Sequence, residues 1–131
     1  MQENRITISK LEIEKAKNAL EEAKILFDSQ MYYGAANRSY YAVFHAMSAL
    51  LILYGYSMKK HSGVMSKFRE VYIKTGVFDI SMSEKISALF RLRTDCDYDS
   101  FYVVSKQEVA EQLDNAAEMI KAIEEKLIEL T

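Results

Sequence analysis

The sequence predicts an all-α fold, an antiparallel up-and-down bundle of four to five helices, and three observations lead there. Proline is absent and glycine occurs only four times in 131 residues, too few turn formers for a strand-rich chain. Half of the residues are hydrophobic and 27% are charged, the balance of a globular chain able to build a core. Apolar residues recur every three or four positions along stretches separated by short polar breaks, the pattern of helices joined by short links. No repeat, low-complexity tract or compositional break divides the chain, so residues 1–131 read as one helical domain.

Taken in order, the first helix is expected to begin near Ser9, where Ser9-Lys-Leu-Glu12 has the form of a capping box. Ile13, Ala16, Leu20, Ala23 and Phe27 follow as its apolar stripe. Asp28-Ser29-Gln30 breaks it, with Ser29 placed to cap the next helix. That second helix runs from about Met31 to Tyr54. Gly34 near its start suggests a neighbour approaching closely, and Gly55 is well placed as a left-handed C-terminal cap. A third helix spans about Ser62 to Lys74, with Val64, Phe68, Val71 and Tyr72 on its apolar side. Val77-Phe78-Asp79-Ile80 reads as a short apolar loop packed on the bundle. Ser81-Met-Ser-Glu84 resembles a second capping box and opens a fourth helix that ends in Asp95-Cys-Asp-Tyr-Asp99. Ser105-Lys-Gln-Glu108 is the third such box. It opens a helix whose stripe is Val109, Leu113, Ala116, Ile120, Ile123 and Leu127.

The second helix is the unusual one. Ala36, Tyr40, Val43, Met47, Leu50 and Tyr54 form one apolar stripe, widened by Phe44 and Leu51. Such a helix belongs in the middle of a bundle. Beside the stripe stand Asn37, Arg38, Tyr41 and His45. On the fourth helix Arg93 shares a side with Ile86, Leu89 and Phe90. Two arginines therefore face the region where a plain bundle would place leucine, and a buried charge needs partners.

Composition excludes several classes. The single cysteine, Cys96, cannot form an internal disulfide and fits a reducing compartment, so the expected location is the cytoplasm. No apolar run follows the N-terminus as a signal peptide would require, and the longest apolar stretch is far short of the ~20 residues of a membrane span. The net charge is −2, which disfavours broad non-specific nucleic-acid binding. That charge is unevenly spread: residues 59–94 carry eight bases and three acids, and residues 95–131 carry three bases and ten acids. A basic middle suits a local anion site, or basic and acidic helices that pair.

Metal chemistry finds no support. The residues three before His45 and His61 are Ala42 and Met58, so no Glu-x-x-His pair exists. Zinc would need more cysteine or histidine. Asp95, Asp97 and Asp99 open like a calcium loop, but the sixth position is Ser100 and the twelfth is Lys106. No metal and no cofactor is expected, and no glycine-rich phosphate loop is present. What remains is the constellation Asn37, Arg38, Tyr41, His45, His61, Arg93, Asp97 and Tyr98. An arginine can steady the charge of a phosphorane-like transition state, and a histidine or tyrosine can move protons for attack by an RNA 2′-hydroxyl. The plainer alternative pairs Arg38 and Arg93 with Asp95 or Asp97, leaves His45 as a satisfied core histidine and lets His61 cap the third helix.

Several of these residues fall in a familiar pattern. Ala36-Asn-Arg-Ser-Tyr-Tyr-Ala-Val-Phe-His45, Ala49-Leu-Leu51, Gly55, His61, Gly63, Phe68 and Arg91-Leu-Arg-Thr-Asp-Cys-Asp-Tyr98 resemble the HEPN family over roughly residues 10–125. The resemblance implies a helical bundle that forms homodimers. It also implies a gene often paired with a minimal nucleotidyltransferase as a toxin–antitoxin or nucleotide-binding couple. Active members are metal-independent ribonucleases whose arginine is followed, four to six residues on, by histidine. Carried over, the arginine is Arg93, while the following positions hold Asp97, Tyr98, Asp99 and Ser100. The chain thus resembles the branch with Asp-Tyr in that place. Three readings follow. The first is a homodimer binding a nucleotide, RNA or a nucleotidyltransferase through a cleft of Arg38, Arg93, Asp97 and Tyr98, with His45 or His61 nearby. The second is an endoribonuclease toxin using Arg93 with Tyr98 or His61. The third is a non-catalytic helical scaffold.

Overall fold

The computed structural model describes residues 2–56 and 61–131, with the side chains of Gln2, His61 and Ser62 outside that description. The described residues form five α-helices and no strand: α1 (Gln2–Asp28), α2 (Tyr32–Leu53), α3 (His61–Phe68), α4 (Ser81–Tyr98) and α5 (Lys106–Leu130). A wide π turn over Arg69–Ile73 continues α3. The all-α expectation holds. α2 packs against each of the other four helices, as its apolar circumference requires. Cross-helix pairs fix the directions. Glu12 and Glu22 of α1 meet His45 and Arg38 of α2, while Asn37 and Tyr41 of α2 meet Asp97 and Arg93 of α4. Both α1 and α4 therefore run antiparallel to α2.

The apolar stripes read from the sequence form the core. Tyr40, Val43, Met47 and Leu50 of α2 are buried, as is the whole α5 stripe from Val109 to Leu127. Each large side chain removed from water in this way contributes roughly 1.5–3 kcal/mol. Tyr54, at the end of the α2 stripe, is instead exposed. α1 and α2 both bury alanines, with Ala16, Ala19 and Ala23 on one helix and Ala42, Ala46 and Ala49 on the other. Small side chains let the two axes come close. Gly34 marks the same approach: a Cβ there would stand 3.2 Å from Leu26 of α1.

Several boundaries differ from expectation, each for a local reason. α1 begins at Gln2 rather than Ser9. Ser9 takes an interior position on the face that Ile13 and Ala16 continue, and it is fully buried. Ser29 does not cap α2, which has no side-chain cap. α1 closes instead through a Schellman pair, Gln30 N–H to Phe27 O and Met31 N–H to Leu26 O, with Gln30 in the left-handed region at φ 63°. Gly55, at φ 86°, closes α2 in the same way, as anticipated. The third helix is not uniform, since Lys74 N–H reaches Arg69 O across five residues. At α4 the capping oxygen belongs to Asp79, which accepts from Ser81 N–H at 3.0 Å. Only the third box is a cap: Ser105 Oγ accepts from Glu108 N–H at 3.1 Å. Of the apolar loop, Phe78 stacks on Phe68 with centroids 5.8 Å apart, but Val77 and Ile80 are exposed.

Candidate functional site

α4 stays helical through Tyr98, so Asp97 lies one turn beyond Arg93 on the same face. Arg93 Nε stands 3.0 Å from Asp97 Oδ2. Its N–H bond is not aimed at that oxygen, so the contact is an ion pair rather than an aligned hydrogen bond. Arg93 Nη2 reaches Tyr41 Oη at a long 3.4 Å. The guanidinium lies 5.3, 5.6 and 5.6 Å from the ring centres of Tyr40, Tyr41 and Tyr98. An arginine that is only 14% exposed is thus held by one carboxylate and three aromatic faces, which satisfies its charge without a leucine-like pocket.

The chain of contacts closes on itself. Asn37 Nδ2 donates to Asp97 Oδ2 at 3.3 Å, and Asn37 Oδ1 accepts from Arg38 Nη2 at 3.0 Å. Arg38 in turn lies 4.9 Å from the centre of the Tyr41 ring. Asn37, Arg38, Tyr41, Arg93 and Asp97 therefore form one polar ring between α2 and α4, and the exposed Tyr98 stands at its rim. Six of the eight residues singled out from the sequence come together here. Arg38 is the looser of the two cations. Its nearest carboxylate, Glu22, is 3.9 Å away and largely exposed, a pairing worth little.

His45 does not join them. Its Nδ1 lies 2.7 Å from Glu12 Oε2 of α1, in a separate cleft of about 190 Å³ that Ser48 also lines. His61 falls where side chains are not described. Burial pushes the Tyr40 hydroxyl up to about 12, against the opposing pull of Arg93, so the phenol stays protonated. Burial and the neighbouring Asp97, Asp95 and Glu108 carboxylates push the Cys96 thiol up to about 11, which leaves little nucleophilic thiolate. Among the described residues no cluster of three or more His, Cys, Asp or Glu is placed to hold a metal ion.

Two partners escaped the sequence reading. Glu12 was read as the glutamate of a capping box and Glu22 as one of the charged residues of the outer face of α1, and no local spacing ties either to residues on α2. Tyr40 was read as core, which its burial supports, yet its face also carries Arg93. The i, i+4 spacing of Arg93 and Asp97 and the grouping of Asn37, Arg38 and Tyr41 on α2 were the signals of this network visible in the chain itself.

The fold and this ring define a class, a helical bundle carrying a part-buried arginine cluster between its second and fourth helices. The HEPN domain family model matches residues 9–126, so the chain belongs to the HEPN family. It is 38% identical over 96 residues to a protein of Methanocaldococcus jannaschii named "Putative toxin MJ0142", covering 73% of this chain and 65% of that one. The match therefore spans less than two thirds of that relative. A UPF0332 protein of Thermotoga maritima is 35% identical over 115 residues, covering 88% of this chain and 86% of the other. The crystal structure of TT1696 from Thermus thermophilus shares the fold at a TM-score of 0.76 and 18% identity, over 90% of this chain and 97% of that one. No helix among the described residues is long and apolar enough to cross a membrane.

Proposed function

We propose that this chain is the toxin-like member of a two-protein couple, a homodimer that binds the phosphate of a nucleotide or RNA at the Arg38–Arg93 ring, with a minimal nucleotidyltransferase as its partner. The observation that carries the reading is the asymmetry between the two cations. Arg93 is paired with Asp97 and packed on the tyrosine faces, whereas Arg38 is held by the neutral Asn37 Oδ1 and the Tyr41 ring, and its one carboxylate is distant and solvent-exposed. A fixed arginine beside a releasable one suits a phosphate, which can replace Glu22 on Arg38 and take a bidentate contact. The exposed Tyr98 ring offers a stacking face next to it. The toxin name of the archaeal relative points the same way.

The test is titration of the full chain with AMP and with a labelled oligoribonucleotide, followed by calorimetry and fluorescence anisotropy. Sedimentation of the same samples reports the oligomeric state. Arg38→Met should weaken binding at least about tenfold while leaving the helical circular dichroism unchanged. Binding equal to wild type in both Arg38→Met and Arg93→Met would remove this reading and leave a scaffold whose polar ring only fixes helix register.

Ribonuclease action is the second reading, and the relative's toxin name favours it. Tyr98, whose ring centre lies 5.6 Å from the Arg93 guanidinium, would be the proton carrier, and His45 is engaged with Glu12 in another cleft. Intact cellular RNA and unaltered growth on expression, identical for wild type and Arg93→Ala, would exclude it.

A further inference from the structure

A cleft of about 510 Å³ opens between α3, the start of the π turn and α4. Its size falls within the range of small-molecule sites. Arg69 and Arg91 line it, with Ser87, Phe90, Thr94 and Asp95. Arg69 is held in an unusual way. Nε donates to Ser83 Oγ at 2.8 Å, and Nη2 donates to Ser83 O at 3.1 Å and to Ser87 Oγ at 2.7 Å. All of these acceptors are neutral. The guanidinium is immobilised while its charge stays uncompensated, the arrangement a preorganised anion site needs.

Three further features belong to the same cleft. Arg91 is exposed and has no hydrogen-bond or ion-pair partner among the described residues. Thr94, another lining residue, has its Oγ1 buried without a hydrogen-bond partner. A π turn starts at Arg69, and such turns recur at functional sites. With Asp95 included, the charged lining carries one net positive charge. Phe90 supplies an aromatic wall whose ring also meets Tyr40 at 5.8 Å.

We propose that this cleft binds a mononucleotide unit, its phosphate held by Arg69 and Arg91 and its base against Phe90, at a site distinct from the Arg38–Arg93 ring. A free nucleotide and an RNA strand both present this phosphate and base.

The experiment is a two-dimensional amide NMR titration of the full-length protein with three probes: inorganic phosphate, AMP and a short oligoribonucleotide. The expected result is that AMP or the oligoribonucleotide shifts the amides of Arg69, Ser87, Arg91 and Thr94, with phosphate binding more weakly. Arg91→Gln, an exposed substitution that leaves the core untouched, should weaken that response at least about tenfold, and Arg69→Lys should weaken it as well because the fork is lost. Arg38→Met should leave it unchanged. A tighter response to AMP assigns the source as free nucleotide, and a tighter response to the oligoribonucleotide assigns it as a strand. Shifts confined to Asn37, Tyr41, Asp97 and Tyr98, and lost in Arg38→Met, would overturn the cleft while upholding the ring as the site. Equal affinity for phosphate and AMP, or a wild-type response in Arg91→Gln, would also overturn it.

Discussion

Arg38 and Arg93, 55 positions apart in the chain, place their guanidinium groups against the same Tyr41 ring, 4.9 and 5.6 Å from its centre. Two like charges meet at one aromatic ring, and Asp97 and Asn37 link them. Asp97 pairs with Arg93, and Asn37 relays from Asp97 to Arg38. This arrangement sets unequal costs for losing either arginine. Arg93→Ala should cost about 2 kcal/mol, because it strips the Asp97 carboxylate of its cation and leaves it the Asn37 amide as donor. Arg38→Ala should cost no more than ~0.5 kcal/mol, as expected of a solvent-screened cation. Urea denaturation of the two variants checks this, and equal costs would contradict the asymmetry.

The two serines of look-alike boxes should behave in opposite ways. Ser105→Ala removes a cap to Glu108 N–H and should cost about 1 kcal/mol. Ser9 Oγ is buried without a partner, so Ser9→Ala should leave stability unchanged or raise it. Thermal melts of the pair decide the matter.

Gln30 holds a left-handed conformation at the end of α1 that glycine adopts without a Cβ penalty. Gln30→Gly should therefore stabilise the protein by up to about 1 kcal/mol, despite the extra chain entropy glycine brings to the unfolded state. A lower denaturation midpoint in this variant would argue against the conformation.

Asp79 is held below the usual carboxylate range, chiefly by its hydrogen bonds to Ser81. A depressed carboxyl stabilises the fold above its unfolded pKa, and that contribution is lost as pH falls through the folded value. Wild type should be more stable than Asp79→Ala near neutrality, and the gap should close below about pH 4. Denaturation of both proteins across the acid range measures it. A gap independent of pH would show that the carboxylate is not what matters.

Much of the fold was legible because burial follows helical spacing. The stripes of α2 and α5 needed only periodicity, and Gly55 needed only its place after the last apolar turn. The misreadings share a cause. Ser9 has the right neighbours for a cap but packs in the interior, and Asp79, two residues before Ser81, captured the amide that the Ser81 box was expected to serve. The ring was half legible: Arg93 and Asp97 sit one turn apart in the chain, while Glu22–Arg38 and Glu12–His45 join residues on different helices that no local pattern connects. The cleft around Arg69 was hidden for a further reason. It joins Arg69, at the start of a π turn, to residues of α4 farther along the chain, and nothing in Arg69-Glu-Val-Tyr-Ile73 announces a change of winding.

The close packing of α1 on α2 has a kinetic consequence. The two helices are consecutive and only residues 29–31 separate them, so bringing them together closes a very short loop at little entropic cost. Their pairing should form early, before α4 and α5 arrive from farther along the chain, and give this protein the fast refolding typical of topologies dominated by near-neighbour contacts.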